Sequence, residues 1–466
     1  MKKSIAVLLV LLLCSVTLFS VSAARINRTE DQVSVSAQTL AGDPAAAAGL
    51  TVTEQTMMNY HLLWQTVFAA DDPAGADTDF SFHLNQLQTV SSSRARIEFR
   101  FNLNGGISSS GDILSDERDG VYTGFPLLPA KDLAEKTAPG ETKKGSYRLA
   151  DYYDTLPYEL DLYFGNDYSF VYYDDLEQQI RSYFRLGVPE DLVVEIELKK
   201  DPQGRTVSLD YSSDFEGGDL WALCTDAGDG FYFSFYLPSA FDSSFAEVPG
   251  GFGIYYLPFE RVDDTDSTVY TVRGDQLSTI YQIDPATAQV LNLQLLPDGE
   301  TLAFFTLEEG RCWLNTLSLG DNSLRQRIEI EGDFTNGFFY DPRIEDDFML
   351  VCDGNNHFTL LELEEGRCSV ALTGDLALPD PTPESENLLL FSFDSALAYD
   401  GARLAIATFN DSFRSANFCL LVYDRSGLVY AGFYQHSQSQ YAGAADANSR
   451  CVPTDNDGLR IDFESA

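Results

Sequence analysis

Hydrophobic and polar residues alternate in short runs along most of the chain, and helical periodicity is scarce. Residues 192–198 (LVVEIEL) and 231–236 (FYFSFY) are two such runs, with turn-forming residues at their ends. A period of two places every second side chain on the same face of a strand. The first run is followed by Asp201-Pro202-Gln203-Gly204, which suits a type I turn, and then by a returning run over 205–211. The pattern predicts an all-β chain built from hairpins.

The strand pattern repeats in the C-terminal half of the chain. The string PDGETLAF at 297–304 is echoed by YDGARLAI at 399–406, and further copies begin near residues 263, 341 and 457. A second turn follows 22 to 24 residues after Asp298, Asp341 and Asp400. This nearly constant phase, with variable spacing between copies, indicates repeated β-units joined by variable loops. The two LEEGRC strings, Leu307–Cys312 and Leu363–Cys368, do not share the phase, so we interpret their match as coincidence.

The P-D-G-x-x-L-A-F strings, each followed by an apolar strand and a second turn, resemble the repeat of TolB-like and WD40-like β-propellers over roughly residues 255–466. The resemblance implies a single propeller over residues 25–466, with about seven (six to eight) irregular four-stranded blades. The copy at Asp457 lies close to the chain end, so its blade lacks outer strands. We predict that an N-terminal segment, Gln32–Gln38 or Leu50–Gln55, pairs with the C-terminal strand and closes the ring.

Residues 1–24 are predicted to form a cleaved signal peptide. Lys2 and Lys3 precede an apolar run over 5–13, and small residues surround the expected cleavage point. A retained anchor, or a lipid attached at Cys14, is an alternative. We expect a protein secreted or held at the cell envelope, with no membrane span after signal cleavage. Six cysteines then remain, which permits three disulfides, although the apolar runs around Cys224, Cys352 and Cys419 favour buried thiols.

Composition changes this picture by excluding some partners. The chain has 30 Lys and Arg against 72 Asp and Glu, a net charge of −42. Binding to nucleic acid or to an anionic membrane depends on basic residues, so neither is expected. Hydrophobic residues make up 44% of the chain, which is enough for a large core. Because many acidic residues fall at the repeated turns, we interpret much of the charge as turn chemistry.

No motif for a familiar catalytic site occurs in the sequence. HExxH, GxSxG, SxxK and P-loop strings are absent, and the four histidines do not have metal-ligand spacing. Asp455, Asn456 and Asp457 precede Gly458 and offer oxygen ligands at the start of a loop that suits calcium. The alternative is an ordinary polar turn.

Tyrosines are concentrated between residues 152 and 173, interleaved with Asp, Asn and Glu. The seven are Tyr152, Tyr153, Tyr158, Tyr163, Tyr168, Tyr172 and Tyr173. Tyrosine beside polar groups is typical of recognition surfaces, and packing of the rings between blades is the alternative. We predict an exported, non-catalytic binding protein of the cell envelope that recognises a protein or a glycan. The alternative function is an extracellular glycan-acting hydrolase with carboxylates near the propeller channel.

Overall fold

The fold was analysed in a computed structural model that describes residues 10–18, 20–21, 24, 33–58, 61–85, 96–101, 103–114, 125–163, 174–213, 220–236, 248–263, 268–334, 341–377, 395–409, 417–437 and 458–464. Within them the chain is almost entirely β-structure. The strands are β1 (Val35–Gly42), β2 (Leu50–Met58), β3 (Leu62–Ala69), β4 (Asp72–Phe82), β5 (Arg96–Arg100), β6 (Gly105–Ser108), β7 (Thr142–Arg148), β8 (Glu159–Tyr163), β9 (Val193–Lys200), β10 (Thr206–Ser213), β11 (Leu220–Asp226), β12 (Gly230–Tyr236), β13 (Gly253–Asp263), β14 (Thr268–Val272), β15 (Ser278–Gln282), β16 (Gln289–Leu295), β17 (Thr301–Glu308), β18 (Arg311–Ser318), β19 (Ser323–Ile330), β20 (Arg343–Ile344), β21 (Phe348–Cys352), β22 (His357–Glu364), β23 (Arg367–Asp375), β24 (Ala396–Tyr399), β25 (Leu404–Phe409), β26 (Phe418–Asp424), β27 (Gly427–His436) and β28 (Leu459–Phe463).

Two α-helices lie between strands: α1 (Leu127–Glu135) and α2 (Asp174–Tyr183). Short 3-10 turns span Pro44–Ala47, Leu149–Asp151 and Gly274–Gln276. In the described part of the chain, no helix combines the length and apolar character needed to cross a membrane.

The protein belongs to the all-β class, and several of its described sheets have the strand order of propeller blades. The described strands form six sheets. Strands β16–β19 and β20–β23 form two four-stranded sheets in which each strand pairs with the next, and β24–β27 repeat this order with β1 added at one edge. The described pairings are antiparallel, so each sheet is the up-and-down unit from which propellers are built.

Another four-stranded sheet combines strands from both ends of the chain, in the order β28-β2-β3-β4. Leu50 is opposite Phe463 and Val52 is opposite Ile461. Leu50, Val52 and Ile461 are buried, so this pairing also forms part of the core. At the neighbouring sheet, β1 pairs with β27. Both N-terminal strands therefore pair with C-terminal strands, and closure of a ring by these pairs stays a prediction.

The chain divides into two compact units. The first comprises Met1–Ser92, Tyr340–Glu362 and Ser369–Ala466, and the second comprises Ser93–Phe339 and Leu363–Cys368. In the second unit, two sheets bring together strands that are distant in sequence, with orders β6-β10-β9-β7 and β14-β13-β12-β11-β5-β8. This unit has an aromatic core in which Phe184 lies 5.4 Å from Phe235 and 4.9 Å from Tyr255, between ring centroids. Both contacts are edge-to-face, a favourable arrangement of aromatic rings.

The predicted hairpin and the turns at Asp298 and Asp400 are confirmed, whereas Asp457 lies outside the described residues. Strands β9 and β10 pair across the turn in which Gly204 N–H donates to Asp201 O at 2.9 Å. Asp298 and Asp400 each accept the backbone N–H groups of the residues two and three positions later. A carboxylate at this position satisfies donors that the turn would otherwise leave without partners. Repetition of these turns therefore gives part of the acidic excess a structural cause.

The two LEEGRC strings fall at different places in the repeat, in agreement with their lack of a shared phase. Glu309 and Gly310 both have positive φ, as do Glu365 and Gly366, which is typical of a two-residue type I′ hairpin. The first string joins the second and third strands of its sheet, β17 and β18, whereas the second joins the third and fourth, β22 and β23. The strings therefore share a turn type although they occupy different places in the repeat.

Candidate functional site

The structure describes part of the tyrosine-rich segment. Tyr152, Tyr153 and Tyr158 lie between β7 and β8 in the second unit. Tyr163 ends β8, and its side chain lies outside the described residues. Tyr168, Tyr172 and Tyr173 also lie outside them, so their part in recognition stays a prediction.

The first two tyrosines are bonded to α1. The Tyr152 hydroxyl donates to Asp132 Oδ2 at 3.1 Å, and the backbone N–H of Leu128 donates to the Tyr153 hydroxyl at 2.8 Å. Burial raises the pKa of Tyr153 to about 12, so this hydroxyl remains protonated at neutral pH. The two tyrosines therefore hold α1 against the segment that precedes β8.

Tyr158 belongs to the aromatic core and is 2% exposed. Its ring centroid lies 5.3 Å from that of Phe99 and 5.9 Å from that of Phe101. Tyr158 is therefore packed in the core, which is the alternative given for these tyrosines, whereas Tyr152 and Tyr153 are half-buried.

A cavity of about 280 Å³ lies between α1, the tyrosine segment and the end of α2. This is close to the lower end of the usual range for ligand pockets, roughly 300–1,000 Å³. Eight of its eleven lining residues are apolar or aromatic, and none of the described lining residues is acidic. The lining consists of Phe125, Leu127, Leu128, Lys131, Tyr153, Thr155, Leu156, Pro157, Tyr158, Arg181 and Phe184. We call this cavity, together with Tyr152, the tyrosine site.

Arg181 is one of the two basic residues that line the tyrosine site. Its Nη2 donates to the backbone carbonyl of Tyr158, and its guanidinium carbon lies 5.4 Å from the centroid of the Tyr158 ring. The carbonyl contact and the ring contact together orient the planar guanidinium.

The surroundings of α1 are basic by comparison with the rest of the chain. Residues 131–148 contain five basic and three acidic residues, against the overall net charge of −42. Asp132 is already paired with Lys136, whose Nζ lies 2.6 Å from Asp132 Oδ2. Residues 131–148 therefore carry a small net positive charge, whereas the tyrosine segment that follows adds Asp151 and Asp154.

Sequence reasoning missed Lys131 and Arg181. They are 50 positions apart, and only the packing of α1 near the end of α2 brings both to one cavity. The local excess of basic residues over 131–148 is a signal that could have identified the first of them.

The predicted calcium ligands Asp455, Asn456 and Asp457 lie outside the described residues, so calcium binding there stays a prediction. In the part of the chain that the structure describes, no three His, Cys, Asp or Glu side chains gather as a metal site. The described cysteines after residue 24, namely Cys224, Cys312, Cys352, Cys368 and Cys419, are free thiols.

A second cavity, of about 190 Å³, lies on the sheet that joins the two chain ends. Its lining residues are Thr53, Gln55, Gln65, Gly458, Arg460 and Asp462. Asp462 is the one carboxylate in this described lining, and its Oδ2 lies 2.7 Å from Arg460 Nε. Glycoside hydrolysis by the usual mechanism needs two carboxylates placed across a bond. Neither described cavity brings such a pair together.

Glu54 and His436 form a buried pair in the first unit that the sequence did not indicate. His436 Nε2 lies 3.8 Å from Glu54 Oε2 and 3.2 Å from Thr66 Oγ1. Burial raises the pKa of Glu54 to about 8 and lowers that of His436 to about 4. Both groups are therefore neutral near pH 7, because removal from water disfavours their charged forms. Neither residue lines a described cavity, so the pair bears on stability rather than on binding.

Comparison with known proteins gives fold likeness alone. No protein-family model and no curated protein matches the sequence. Among solved structures, the chain is similar to the β-propeller domain of Swd1 from Myceliophthora thermophila, with 11% sequence identity and a TM-score of 0.25. That match covers 52% of this chain and 69% of the Swd1 chain. It is also similar to Hsv2 from Kluyveromyces lactis, with 12% identity, coverage of 60% and 79%, and a TM-score of 0.26. A protein from Lactobacillus plantarum matches at 10% identity, coverage of 82% and 80%, and a TM-score of 0.25. The evidence that this chain is a propeller is therefore the strand order of its sheets.

Proposed function

We propose that the chain is an exported, non-catalytic propeller protein of the cell envelope that binds a protein or glycan partner through the tyrosine site. The observation that carries this proposal is an aromatic-walled cavity with two basic groups and no acidic residue in its described lining. Cavities that are mostly apolar, with a few polar groups converging on them, are typical of binding sites. The predicted signal peptide supports export, and the TolB-like repeat strings support an envelope protein of the propeller type.

The proposal is tested by blocking the cavity from its exposed edge. Leu128 is 47% exposed and lines the cavity, so Leu128→Lys should obstruct the site with little effect on folding. Leu324, on β19, is 41% exposed and lines neither described cavity, which makes Leu324→Lys the matched control. Wild-type and control proteins should capture the same partner from an envelope fraction or on a glycan array, and Leu128→Lys should lose it.

Equal capture by the wild type and the folded Leu128→Lys variant would contradict the proposal. Release of reducing ends from a panel of glycans by the purified chain would instead identify a hydrolase. Such activity would also require a carboxylate pair elsewhere than in the two described cavities.

A further inference from the structure

Strand β7 is an exposed edge of its sheet and lies next to the tyrosine site. It is the last strand in the order β6-β10-β9-β7, and within the described part of the chain it pairs with β9 alone. The register runs from Thr142 opposite Lys199 to Arg148 opposite Val193 without a bulge. Five of the seven residues are exposed, and the strand contains no proline. A regular, exposed edge of this kind is a template on which another extended segment pairs.

The hydrogen bonds at the two ends of β7 show which backbone groups face outward. Lys200 N–H donates to the Glu141 carbonyl at 2.9 Å, and Leu149 N–H donates to the Leu192 carbonyl at 3.0 Å. In an antiparallel pair, residues alternate between bonding the partner strand and facing away from it. The odd-numbered residues of β7 therefore bond β9, and no described residue bonds the backbone groups of the even-numbered ones. The outward-facing residues are Thr142, Lys144, Ser146 and Arg148.

The spacing of these outward groups favours a polypeptide over a glycan. Each of the four residues carries one N–H donor and one C=O acceptor, and the set recurs at every second residue, roughly every 6.5–7 Å. Another extended chain presents its own donors and acceptors at the same interval. The hydroxyl groups of a sugar ring have no such period. An added strand therefore satisfies the whole edge, whereas a glycan satisfies a few of its groups.

The side chains of β7 determine the charge of the strand that fits. The strand has three basic residues and no acidic one, in a chain with 72 acidic residues. Lys144 and Arg148 form ion pairs with Glu197 and Asp151, and the two basic side chains are 77% and 56% exposed. Such exposed pairs contribute little to stability, so carboxylates of an added strand can join them. Opposite charges across neighbouring strands are favourable and like charges are not, so β7 of a second copy is a poor partner.

We propose that the open edge of β7 binds an extended, acidic polypeptide segment, which pairs with β7 as a fifth strand of the sheet. This inference rests on the proposed binding function and narrows its partner to a polypeptide. The edge borders the tyrosine site, because the ring centroid of Tyr147 lies 5.8 Å from that of Tyr152. Main-chain hydrogen bonds along β7 supply affinity, and the tyrosine site receives a neighbouring part of the same partner.

The test is fluorescence anisotropy of the full chain with a labelled peptide of alternating glutamate and valine. The same peptide with lysine in place of glutamate should bind at least about tenfold more weakly at low salt, because like charges then face each other. The glutamate peptide with N-methylated amides should lose binding, because it cannot donate to the outward carbonyls of β7. Absence of saturable binding by the unmethylated glutamate peptide, or equal affinity for all three peptides, would overturn the proposal.

Substitutions locate the binding on β7. Ser146→Pro removes one outward donor and keeps the bonds to β9, so it should weaken glutamate-peptide binding by about tenfold or more. Ala37→Pro is the matched control, because Ala37 is exposed on the edge strand β1 and faces outward, as the bond from Ser437 N–H to the Ser34 carbonyl shows. Lys144→Gln keeps the backbone unchanged and should weaken binding by about threefold or more. Melting curves establish folding, and wild-type affinity in either folded variant of β7 would refute the proposal.

Partner capture separates this inference from the proposed function. Leu128→Lys and Ser146→Pro should both lose the partner. If Leu128→Lys loses it while folded Ser146→Pro keeps it, or if the captured partner is a glycan, this inference fails and the proposed function stands. Capture by both variants at the wild-type level contradicts both. A dimer of the purified chain that Ser146→Pro abolishes would assign the edge to a second copy and overturn the inference.

Discussion

Arg403 connects three parts of the first unit, and its replacement tests how the two ends of the chain are held. Its Nη1 donates to the backbone carbonyls of Ala46 at 2.8 Å and Ala48 at 3.0 Å. Its Nε and Nη2 donate to Asp400 Oδ2 at 2.9 and 2.7 Å. The guanidinium carbon lies 4.6 Å from the ring centroid of Phe463, in β28. One side chain thus joins the N-terminal segment, the C-terminal strand and an aspartate turn.

Arg403→Met should lower the free energy of unfolding by about 2–4 kcal/mol. The two charge-assisted bonds to carbonyls are the larger contribution, at about 1.5–3 kcal/mol each before discounting for solvent. The side chain is 29% exposed, which reduces that contribution. The ion pair with Asp400 and the contact with Phe463 add about 1 kcal/mol or less each. Arg403→Lys should fall between wild type and Arg403→Met, because an ammonium lacks the planar fork that reaches all three partners.

The assay is urea unfolding followed by far-ultraviolet circular dichroism. Arg460→Met is the matched control, because Arg460 is 67% exposed and bonded to Asp462 on the same strand. An exposed pair of this kind contributes about 0–1 kcal/mol. If Arg403→Met destabilised the chain no more than Arg460→Met does, the role of Arg403 in holding the chain ends would be refuted.

Three further predictions follow from other parts of the molecule. The folded chain keeps a proton on Glu54 up to about pH 8, whereas the unfolded chain, with a carboxyl pKa near 4.5, has already released it. The free energy of unfolding should therefore fall as pH rises from 6.5 to 8. Glu54→Gln should flatten that fall in urea titrations, and an unchanged slope would contradict the assignment. Burial raises the pKa of the Cys312 and Cys419 thiols to about 12, so iodoacetamide should label them only after the chain unfolds. Mass spectrometry of digests measures the labelling, and rapid labelling of the folded chain would contradict this prediction. If residues 455–457 bind calcium, the melting temperature should rise with millimolar calcium and fall with chelator, and no shift would reject the ion.

Local features of the fold were predictable from the sequence because they depend on neighbouring residues. The hairpin around Asp201 and the aspartate turns at Asp298 and Asp400 follow from period-two alternation and turn chemistry. The pairing of Leu50–Glu54 with β28 is a long-range contact, and it was predicted from the repeat copy at Asp457, with Gln32–Gln38 as the alternative segment. Strand orders such as β11-β5-β8 were not predictable, since they depend on long-range packing that leaves no local pattern.

The candidate site was less predictable than the fold. Tyrosine density pointed to the correct segment, yet burial of Tyr158 and bonding of Tyr153 to α1 depend on tertiary packing. Helix α2 was not predicted, although Leu176, Ile180 and Phe184 have helical spacing. Without that helix, Arg181 could not be placed beside Lys131.

Hydrogen-exchange mass spectrometry can show where on the chain the partner binds. Exchange should be compared for the free chain and for the chain bound to the partner captured from the envelope fraction. Binding at the tyrosine site should slow exchange in α1 and over residues 149–158 and leave exchange in β16–β19 unchanged. Protection confined to β16–β19, with none at α1 or residues 149–158, would contradict the account.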